Sequence, residues 1–116
     1  GLSETIKVRS VLGRYLEHSR AFTFNGGGDP AVFIGSADMM HRNLDRRVEA
    51  LVRLVQPDHI REINDLFDLA MSPDSASWSL NSDGEWTRHQ FGENGVRLVD
   101  VQDQLMKVVH SKRNAR

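Results

Sequence analysis

The chain has 116 residues, with 15 Lys and Arg against 16 Asp and Glu for a formal net charge of −1, and it has no cysteine. This length predicts one domain with a modest core, and the charge balance argues against a general nucleic-acid or membrane-surface binder. The absence of cysteine excludes a disulfide framework, a thiol nucleophile and a thiolate metal site.

The ends of the sequence predict a piece of a longer protein. Residues 1–5 lack an initiator methionine, so we expect a flexible or cloning-derived N-terminus. The basic end of the chain predicts a helix C-terminus and then a frayed tail at 111–116. No apolar run approaches the roughly 20 residues of a spanning helix, and we expect a cytoplasmic protein whose single domain covers 1–116.

The first quarter of the chain predicts extended structure. Residues 7–16 indicate an extended segment that leads into a short helical turn. Aromatic and β-branched residues at 21–24 and 31–34 predict two strands. The glycine-rich segment 25–30 between them is typical of a turn, so we expect the two strands to be antiparallel.

The remaining elements follow in chain order. After a loop at 36–45, the partial alternation at 47–55 favours a third strand over a helix. Apolar residues at spacings of three and four predict a helix over 58–71. The turn signal at 81–84 predicts a small hairpin, and 99–110 predicts a last helix. We interpret Trp78 and Trp86, which flank the hairpin turn, as core residues.

Anion-binding chemistry is concentrated at 16–20 and 34–49. His18 can move a proton near neutral pH, and its separation from Arg20 puts both side chains on one face of an extended segment. Guanidinium groups offer forked donors to phosphate oxygens. A serine hydroxyl after a strand end can donate a single hydrogen bond to the same anion. The predicted phosphate ligands are His18, Arg20, Ser36, Arg42 and Arg46.

Carboxylates lie among these cations. Asp38 is placed to orient a neighbouring histidine or arginine, and Asp45 and Glu49 are placed to neutralise and aim the arginines. The predicted supporting residues are Asp38, Asn43, Asp45 and Glu49. A Gly-Ser-Ala-Asp segment alone is also an ordinary turn, and only its continuation through 42–49 makes it specific.

No metal site is predicted. The other histidines are expected either to face solvent or to lack acidic neighbours at the spacing of metal ligands. These are His41, His59, His89 and His110.

Two runs resemble the C-terminal domain of bacterial polyphosphate kinases: Val-Arg-Ser-Val-Leu-Gly-Arg-Tyr-Leu-Glu-His-Ser-Arg at 8–20 and Ile-Gly-Ser-Ala-Asp-Met-Met-His-Arg-Asn-Leu-Asp-Arg-Arg-Val-Glu at 34–49. The Trp-rich hairpin in the second half of the chain resembles the actinobacterial type. The resemblance implies an α/β (α+β) fold with a phospholipase D-like mixed sheet flanked by helices, as a fragment of the C-terminal catalytic domain. Phospholipase D-like proteins carry His-x-Lys-x4-Asp and then Gly-Ser-x-Asn. Arg20 stands here at the lysine position and Asn25 at the aspartate position.

The resemblance also implies an activity. Such enzymes transfer the terminal phosphate of ATP reversibly to polyphosphate, with magnesium, through a phosphohistidine in the preceding domain. That domain and the magnesium ligands are absent from this chain, so the fragment alone is expected to be inactive. His18 matches a second histidine, which is thought to contact ATP and to donate a proton.

The expected partners are ATP or ADP, polyphosphate and the remaining domains of the same chain, without nucleic acid. The resemblance further implies a homo-oligomer in the full-length protein and peripheral association with the inner membrane. Two alternatives remain open at the level of sequence. One is half of a phospholipase D-like phosphodiesterase or nuclease, and the other is a non-catalytic polyanion-binding module.

Overall fold

Six strands and three helices are found in residues 3–114, the part of the chain that this computed structural model describes. In chain order they are β1 (Val8–Ser10), β2 (Ala21–Phe24), β3 (Ala31–Gly35), α1 (His41–Arg46), β4 (Leu51–Leu54), α2 (Pro57–Met71), β5 (Ser77–Leu80), β6 (Trp86–His89) and α3 (Val101–Asn114). The strands form two three-stranded sheets, in the orders β1-β5-β6 and β2-β3-β4.

The chain separates into two compact units. The first combines the residues up to Tyr15 with those from Asp68 onwards, and the second is Leu16–Phe67. The first unit therefore holds β1, β5, β6 and α3, and the second holds β2, β3, α1, β4 and most of α2. The expectation of a single domain over 1–116 stays a prediction.

The sheet of the second unit confirms three predicted strands. β2 and β3 pair in antiparallel register with Phe22 opposite Phe33, and β3 pairs with β4. Val32 in the central strand is fully buried, and Phe33 packs edge-on against Phe24 with ring centroids 6.1 Å apart. The third strand begins at Leu51 and is shorter than the predicted segment 47–55.

The loop prediction for 36–45 is wrong in its second half, where α1 forms. Met40 begins this helix, and its carbonyl accepts hydrogen bonds from the amides of Asn43 (2.9 Å) and Leu44 (3.1 Å). The Met40 side chain makes no capping hydrogen bond. A six-residue helix without a polar cap carries almost no local signal, since short helices depend on tertiary packing.

The sheet of the first unit contains the predicted hairpin. Asn81 Oδ1 accepts hydrogen bonds from the amides of Asp83 (3.0 Å) and Glu85 (2.8 Å), which closes the turn. Gly84 has a φ of 83°, a conformation in which glycine has no steric penalty. Val8 of β1 pairs with Leu80 and so adds a third strand to the hairpin.

The two tryptophans do not form a pair across this hairpin. The register places Trp78 opposite Arg88 and Trp86 opposite Leu80. Trp86 is 48% exposed, so the interpretation of this residue as core is wrong. Trp78 is half-buried, and the guanidinium of Arg88 lies 5.6 Å from its ring centroid.

The two longer helices confirm their predictions with shifted ends. α2 starts at Pro57, where a missing amide hydrogen costs nothing. Before α3, Asp100 Oδ1 accepts a hydrogen bond from the amide of Asp103 (3.0 Å) and caps the helix. The tail expected to fray from 111 is helical as far as Asn114, whereas 115–116 lie outside the described residues.

The start of the chain differs from expectation. Residues 1–2 lie outside the described part, and Ser3 accepts a hydrogen bond from the Ile6 amide (2.9 Å) in a turn. The helical turn expected before His18 is wrong, because 11–20 contain no helix.

The side chain of Gln102 connects α3 to the segment after β1. Its Oε1 accepts a hydrogen bond from the Tyr15 amide (2.9 Å), and its Nε2 donates one to the Tyr15 carbonyl (2.8 Å). Gln102 is 7% exposed and lies so close to Gly13 that a Cβ there would be 2.0 Å from Gln102 Cδ. These contacts hold two segments together that are far apart in sequence.

The α/β class is confirmed, while the sheet arrangement differs from the expected mixed sheet. Both sheets are antiparallel throughout their named strands. The connections at 25–30 and 81–85 are too short for the crossover that parallel neighbours require. In the described part of the chain, no helix is long and apolar enough to cross a membrane.

Candidate functional site

Two of the predicted phosphate ligands, Arg20 and Ser36, lie where β2 begins, β3 ends and β4 begins. The Gly35 amide donates a hydrogen bond to the Arg20 carbonyl (2.9 Å), and the Ser36 amide donates one to the Ala50 carbonyl (3.2 Å). Three segments of the chain are therefore tied together at one end of the sheet. We call this place the sheet-end site and define it by Arg20, Ser36, Asp38, Asn43 and Glu49.

Asp38 interacts with two arginines, Arg20 in this site and Arg42 on α1. Arg20 Nε donates a hydrogen bond to Asp38 Oδ1, and the two side chains are 27% and 32% exposed. This hydrogen bond lowers the pKa of Asp38, and a hydrogen bond from Asn43 and the charge of Arg42 lower it further against the opposing effect of burial. Asp38 in turn raises the pKa of Arg20. Both groups are therefore charged at neutral pH, as the prediction that Asp38 orients an arginine requires.

The Arg20 guanidinium is only partly used by these contacts. Its Nε is bound to Asp38, and its Nη1 donates to the Ser19 carbonyl (3.2 Å). Within residues 3–114 its Nη2 has no hydrogen-bond acceptor. Arg20 is thus held in one orientation with a donor left for an anion.

Close backbone approach shapes the corner at Gly35. A Cβ at this position would lie 2.5 Å from the Ala50 carbonyl oxygen and 2.5 Å from Leu51 Cδ2. Ser36 Oγ accepts a hydrogen bond from the Ala50 amide (3.3 Å) and donates one to Glu49 Oε2 (2.5 Å). Glu49 therefore binds the serine and forms no ion pair with an arginine among the described residues. The prediction that it neutralises the arginines stays a prediction.

The short helix α1 presents two arginines. Arg42 and Arg46 are exposed, and their i,i+4 spacing places them on one helix face. Neither has an ion-pair partner among the residues that the structure describes. Asp45, predicted to aim the arginines, pairs with His41 across 2.9 Å between Oδ2 and Nε2, and its predicted role stays a prediction. Both guanidinium groups remain available to a ligand.

His18 lies in the exposed segment that leads into β2, two residues before Arg20. Its ring faces solvent and is not buried in an apolar interior. Its predicted catalytic role and its binding of ATP stay predictions, as do the phosphate-binding roles of Arg20, Ser36, Arg42 and Arg46.

Two features of the site were not apparent from the sequence. Asn43 is 4% exposed and its Oδ1 has no hydrogen-bond partner in the described part of the protein, although the other end of its amide supports Asp38. The His41–Asp45 pair has the i,i+4 spacing of a helical ion pair. This spacing predicts an ion pair only in a helix, and the sequence predicts a loop over 36–45.

The carboxylates and histidines in and around the site form no cluster that fits a metal ion within the residues that the structure describes. Across residues 3–114, no group of three or more His, Cys, Asp or Glu side chains is arranged to hold one. Magnesium prefers carboxylate and other oxygen ligands, and here Asp38, Asp45 and Glu49 each bind a different protein group.

The chain is similar in sequence to known proteins. A sequence family described as "Polyphosphate kinase C-terminal domain 2" matches residues 1–102. A protein from Streptomyces coelicolor named polyphosphate kinase is 56% identical over 113 residues, which cover 97% of this chain and 15% of that protein. A protein of the same name from Mycolicibacterium gilvum is 47% identical over 107 residues, which cover 92% of this chain and 14% of that protein.

A solved structure is also similar. The crystal structure of polyphosphate kinase from Porphyromonas gingivalis superposes with a TM-score of 0.82 and 28% sequence identity, covering 98% of this chain and 17% of that chain. The chain spans about 15% of the length of the curated relatives that it matches.

Proposed function

The chain belongs to the polyphosphate kinase family, in which it matches C-terminal domain 2. We propose that the sheet-end site of this chain binds phosphoryl oxygens during phosphate transfer between ATP and polyphosphate. The full-length protein would be the kinase, and this chain would supply one wall of its active site. The names of the relatives support the reaction class.

The observation that carries the proposal is the fixed position of Arg20. Asp38 holds its Nε, and the strand pairing at Gly35 holds its backbone. Oriented donors stabilise developing negative charge without reorganising during the reaction. Arg42 and Arg46 add two unpaired guanidinium groups on the neighbouring helix, and such groups bind phosphate oxygens through paired hydrogen bonds.

The proposed reaction has two transfers. In the first, a histidine nitrogen of the preceding domain attacks the γ-phosphorus of ATP, the bond to the β,γ-bridging oxygen breaks, and ADP leaves. In the second, a terminal oxygen of polyphosphate attacks the phosphorus, the phosphorus–nitrogen bond breaks, and the polymer grows by one phosphate. His18, as an imidazolium, would donate its proton to the leaving oxygen in the first transfer.

Several expectations remain part of this proposal. The ligands of magnesium would have to come from outside the described residues. Neither of the two proposed transfers assigns a role to magnesium. The relation to phospholipase D, a homo-oligomer, a cytoplasmic location, peripheral membrane association and inactivity of the isolated chain all stay predictions.

Replacement of His18 tests the proposal. The full-length protein is incubated with radiolabelled ATP, and both acid-labile phosphoenzyme and long polymer are measured. We expect His18→Ala to reduce polymer synthesis by about 100-fold or more, since general acid catalysis typically contributes about 10²- to 10⁴-fold. His59→Ala, at another exposed histidine of the same unit, should retain activity.

Near-normal polymer synthesis by His18→Ala would refute the role of this residue. A wild-type protein that cleaves phosphodiesters and forms no labelled polymer would support the phosphodiesterase alternative. One that binds polyphosphate without either activity would support the polyanion-binding module.

A further inference from the structure

Two asparagines of this chain precede a glycine, and the hydrogen bonding around them differs. The pairs are Asn25-Gly26 and Asn94-Gly95. Asn25-Gly26 lies in the turn between β2 and β3, in the second unit, and Asn94-Gly95 lies between β6 and α3, in the first unit. All four residues are exposed. Solvent exposure therefore does not distinguish the two pairs.

An asparagine that precedes glycine can modify itself. The glycine nitrogen loses its proton to hydroxide and attacks the side-chain Cγ of the asparagine, which closes a five-membered succinimide ring. The bond from Cγ to Nδ2 breaks, and the amide nitrogen takes up a proton from water and leaves as ammonia. Water then opens the ring at either carbonyl, which yields aspartate or isoaspartate. Glycine favours the ring closure because it has no side chain to obstruct it.

The turn after β2 leaves this reaction unobstructed. Within residues 3–114, neither the side chain of Asn25 nor the amide of Gly26 forms a hydrogen bond. The strand pairing ends with Phe24 opposite Ala31, and a Cβ at Gly26 would meet nothing within 4 Å. Two more glycines follow at 27–28, so the backbone here can rotate at little steric cost. The Gly26 nitrogen can therefore lose its proton and reach Asn25 Cγ without breaking a hydrogen bond.

The second pair is held by the hydrogen bonds of its own turn. Asn94 Oδ1 accepts a hydrogen bond from the Val96 amide (3.0 Å), and the Gly95 amide donates one to the Gly92 carbonyl (2.9 Å). The Gly92 amide donates in turn to the Val96 carbonyl (2.8 Å). A hydrogen-bonded amide is exposed to hydroxide only when the structure opens locally, as in hydrogen exchange. Reaction at Asn94 therefore has to wait for this turn to open.

We propose that Asn25 is a site of spontaneous deamidation in the folded protein and that the turn at 92–96 protects Asn94 from the same reaction. The product at position 25 carries a new carboxylate, and its isoaspartyl form adds one methylene group to the backbone between β2 and β3. Water and hydroxide are the only reagents that the reaction needs. The proposal is independent of the proposed phosphate transfer, since neither asparagine belongs to the sheet-end site.

Ageing of the full-length protein tests the proposal. The protein is kept in mildly alkaline buffer at constant temperature, and mass spectrometry of digested samples measures asparagine, aspartate and isoaspartate at positions 25 and 94. We expect Asn25 to react about tenfold or more faster than Asn94, because reaction at Asn94 must first break two hydrogen bonds, each of which typically contributes about a fivefold factor. Both positions are measured in the same molecules, so each is a reference for the other.

Unfolding provides the matched control. In guanidinium chloride both turns are lost, and the two Asn-Gly pairs should then react at similar rates. A second control is Gly26→Ala, in which the added methyl group hinders ring closure while the space around it is open. This variant should slow the reaction at Asn25 and leave the rate at Asn94 unchanged.

Equal rates at the two positions of the folded protein, or faster reaction at Asn94, would overturn the proposal. A rate difference that persists in guanidinium chloride would also overturn it, because the difference would then come from the local sequence and not from the fold. An unchanged rate at Asn25 in Gly26→Ala would contradict the succinimide route. Transfer of labelled methyl groups by an isoaspartyl methyltransferase to the peptide that contains position 25, and not to the one that contains position 94, would support the proposal.

Discussion

At the scale of single residues, Asp38 determines how the sheet-end site is arranged. It binds Arg20 directly, and the side chain of Asn43 and the charge of Arg42 also act on it. Two stretches of sequence, the one before β2 and helix α1, are therefore connected through one carboxylate. Loss of its charge would leave Arg20 without the partner that fixes its orientation.

We predict that Asp38→Asn loosens the segment between β3 and α1. Hydrogen exchange in the full-length protein at pH 7 should be faster for peptides covering 36–40 than in the wild type. Arg20 lowers the pKa of Asp38 in the folded protein. The wild-type ion pair is therefore intact above about pH 3.9, the pKa of an aspartate in the unfolded chain, and it is lost as the pH falls through the lower pKa of Asp38 in the folded protein. The difference between variant and wild type should therefore vanish only at pH values below about 4.

Asp58→Asn provides the control for this measurement. Asp58 pairs with Arg61 on α2, where the two side chains are 85% and 65% exposed. A solvent-exposed pair contributes little to stability, so exchange at 36–40 should not change. Faster exchange in the control alone, or no change in Asp38→Asn, would contradict the assigned role of Asp38.

Sequence reasoning found the residue types of the site but not all of their partners. The proximity of Arg20 and Asp38 could be anticipated because each borders a predicted strand and the two strands were expected to pair. Glu49 was assigned to the arginines, yet it binds Ser36. Which of several nearby charges a carboxylate contacts depends on rotamers and on backbone positions within about an ångström, and sequence spacing does not specify these.

At the scale of elements, the close approach of β3 and β4 depends on Gly35. The register pairs this residue with Leu51, and the Ala50 carbonyl lies where a Cβ would be. Backbone atoms cannot move aside without breaking the strand pairing. Any larger residue at this position would separate the two strands at the end where the site is built.

We predict that Gly35→Ala destabilises the second unit by about 1–3 kcal/mol, the usual cost of inserting a methyl group into a packed site. Hydrogen exchange should rise in peptides covering β3 and β4 of the full-length protein, and phosphate transfer should fall. Gly28→Ala is the control, because a Cβ at Gly28 would meet nothing within 4 Å. Similar exchange in the two variants would show that the close approach is not required.

Elements with a strong local signal could be predicted, and those that depend on distant contacts could not. The helix α2 follows from its apolar spacing, and the hairpin follows from the turn at Asn81 and Gly84. Helix α1 is too short for a recognisable period. The division into two sheets depends on the pairing of β1 with β5, and no local pattern specifies which of several strands another strand will join.

At the scale of the whole molecule, little apolar surface is buried. Among the described residues, the buried hydrophobic side chains are Val32, Ala37 and Val101, and of these Val32 alone is fully buried. On β4, an edge strand of its sheet in residues 3–114, Leu51 and Val52 are 55% and 57% exposed. Exposed apolar groups on an edge strand favour association with other chains.

We predict that the 116-residue chain, expressed alone, binds the hydrophobic dye ANS and elutes from size exclusion as oligomers whose size grows with concentration. Val52→Lys should reduce both, because a lysine on an edge strand opposes pairing with another strand. Ser82→Lys, in the exposed hairpin turn, adds the same charge away from the apolar surface and should change neither. A wild-type chain that stays monomeric without binding dye would contradict the prediction.

The Gln102–Tyr15 hydrogen bonds and the β1–β5 pairing join residues that leave the ribosome at very different times. The second unit is one continuous stretch, so it can complete its contacts as soon as it has left the ribosome. The first unit is split around it, and β1 has to wait unpaired until β5 has emerged. Tyr15 waits longer still, until Gln102 on the last helix arrives. β1 and Tyr15 are thus among the last parts of the first unit to make their contacts.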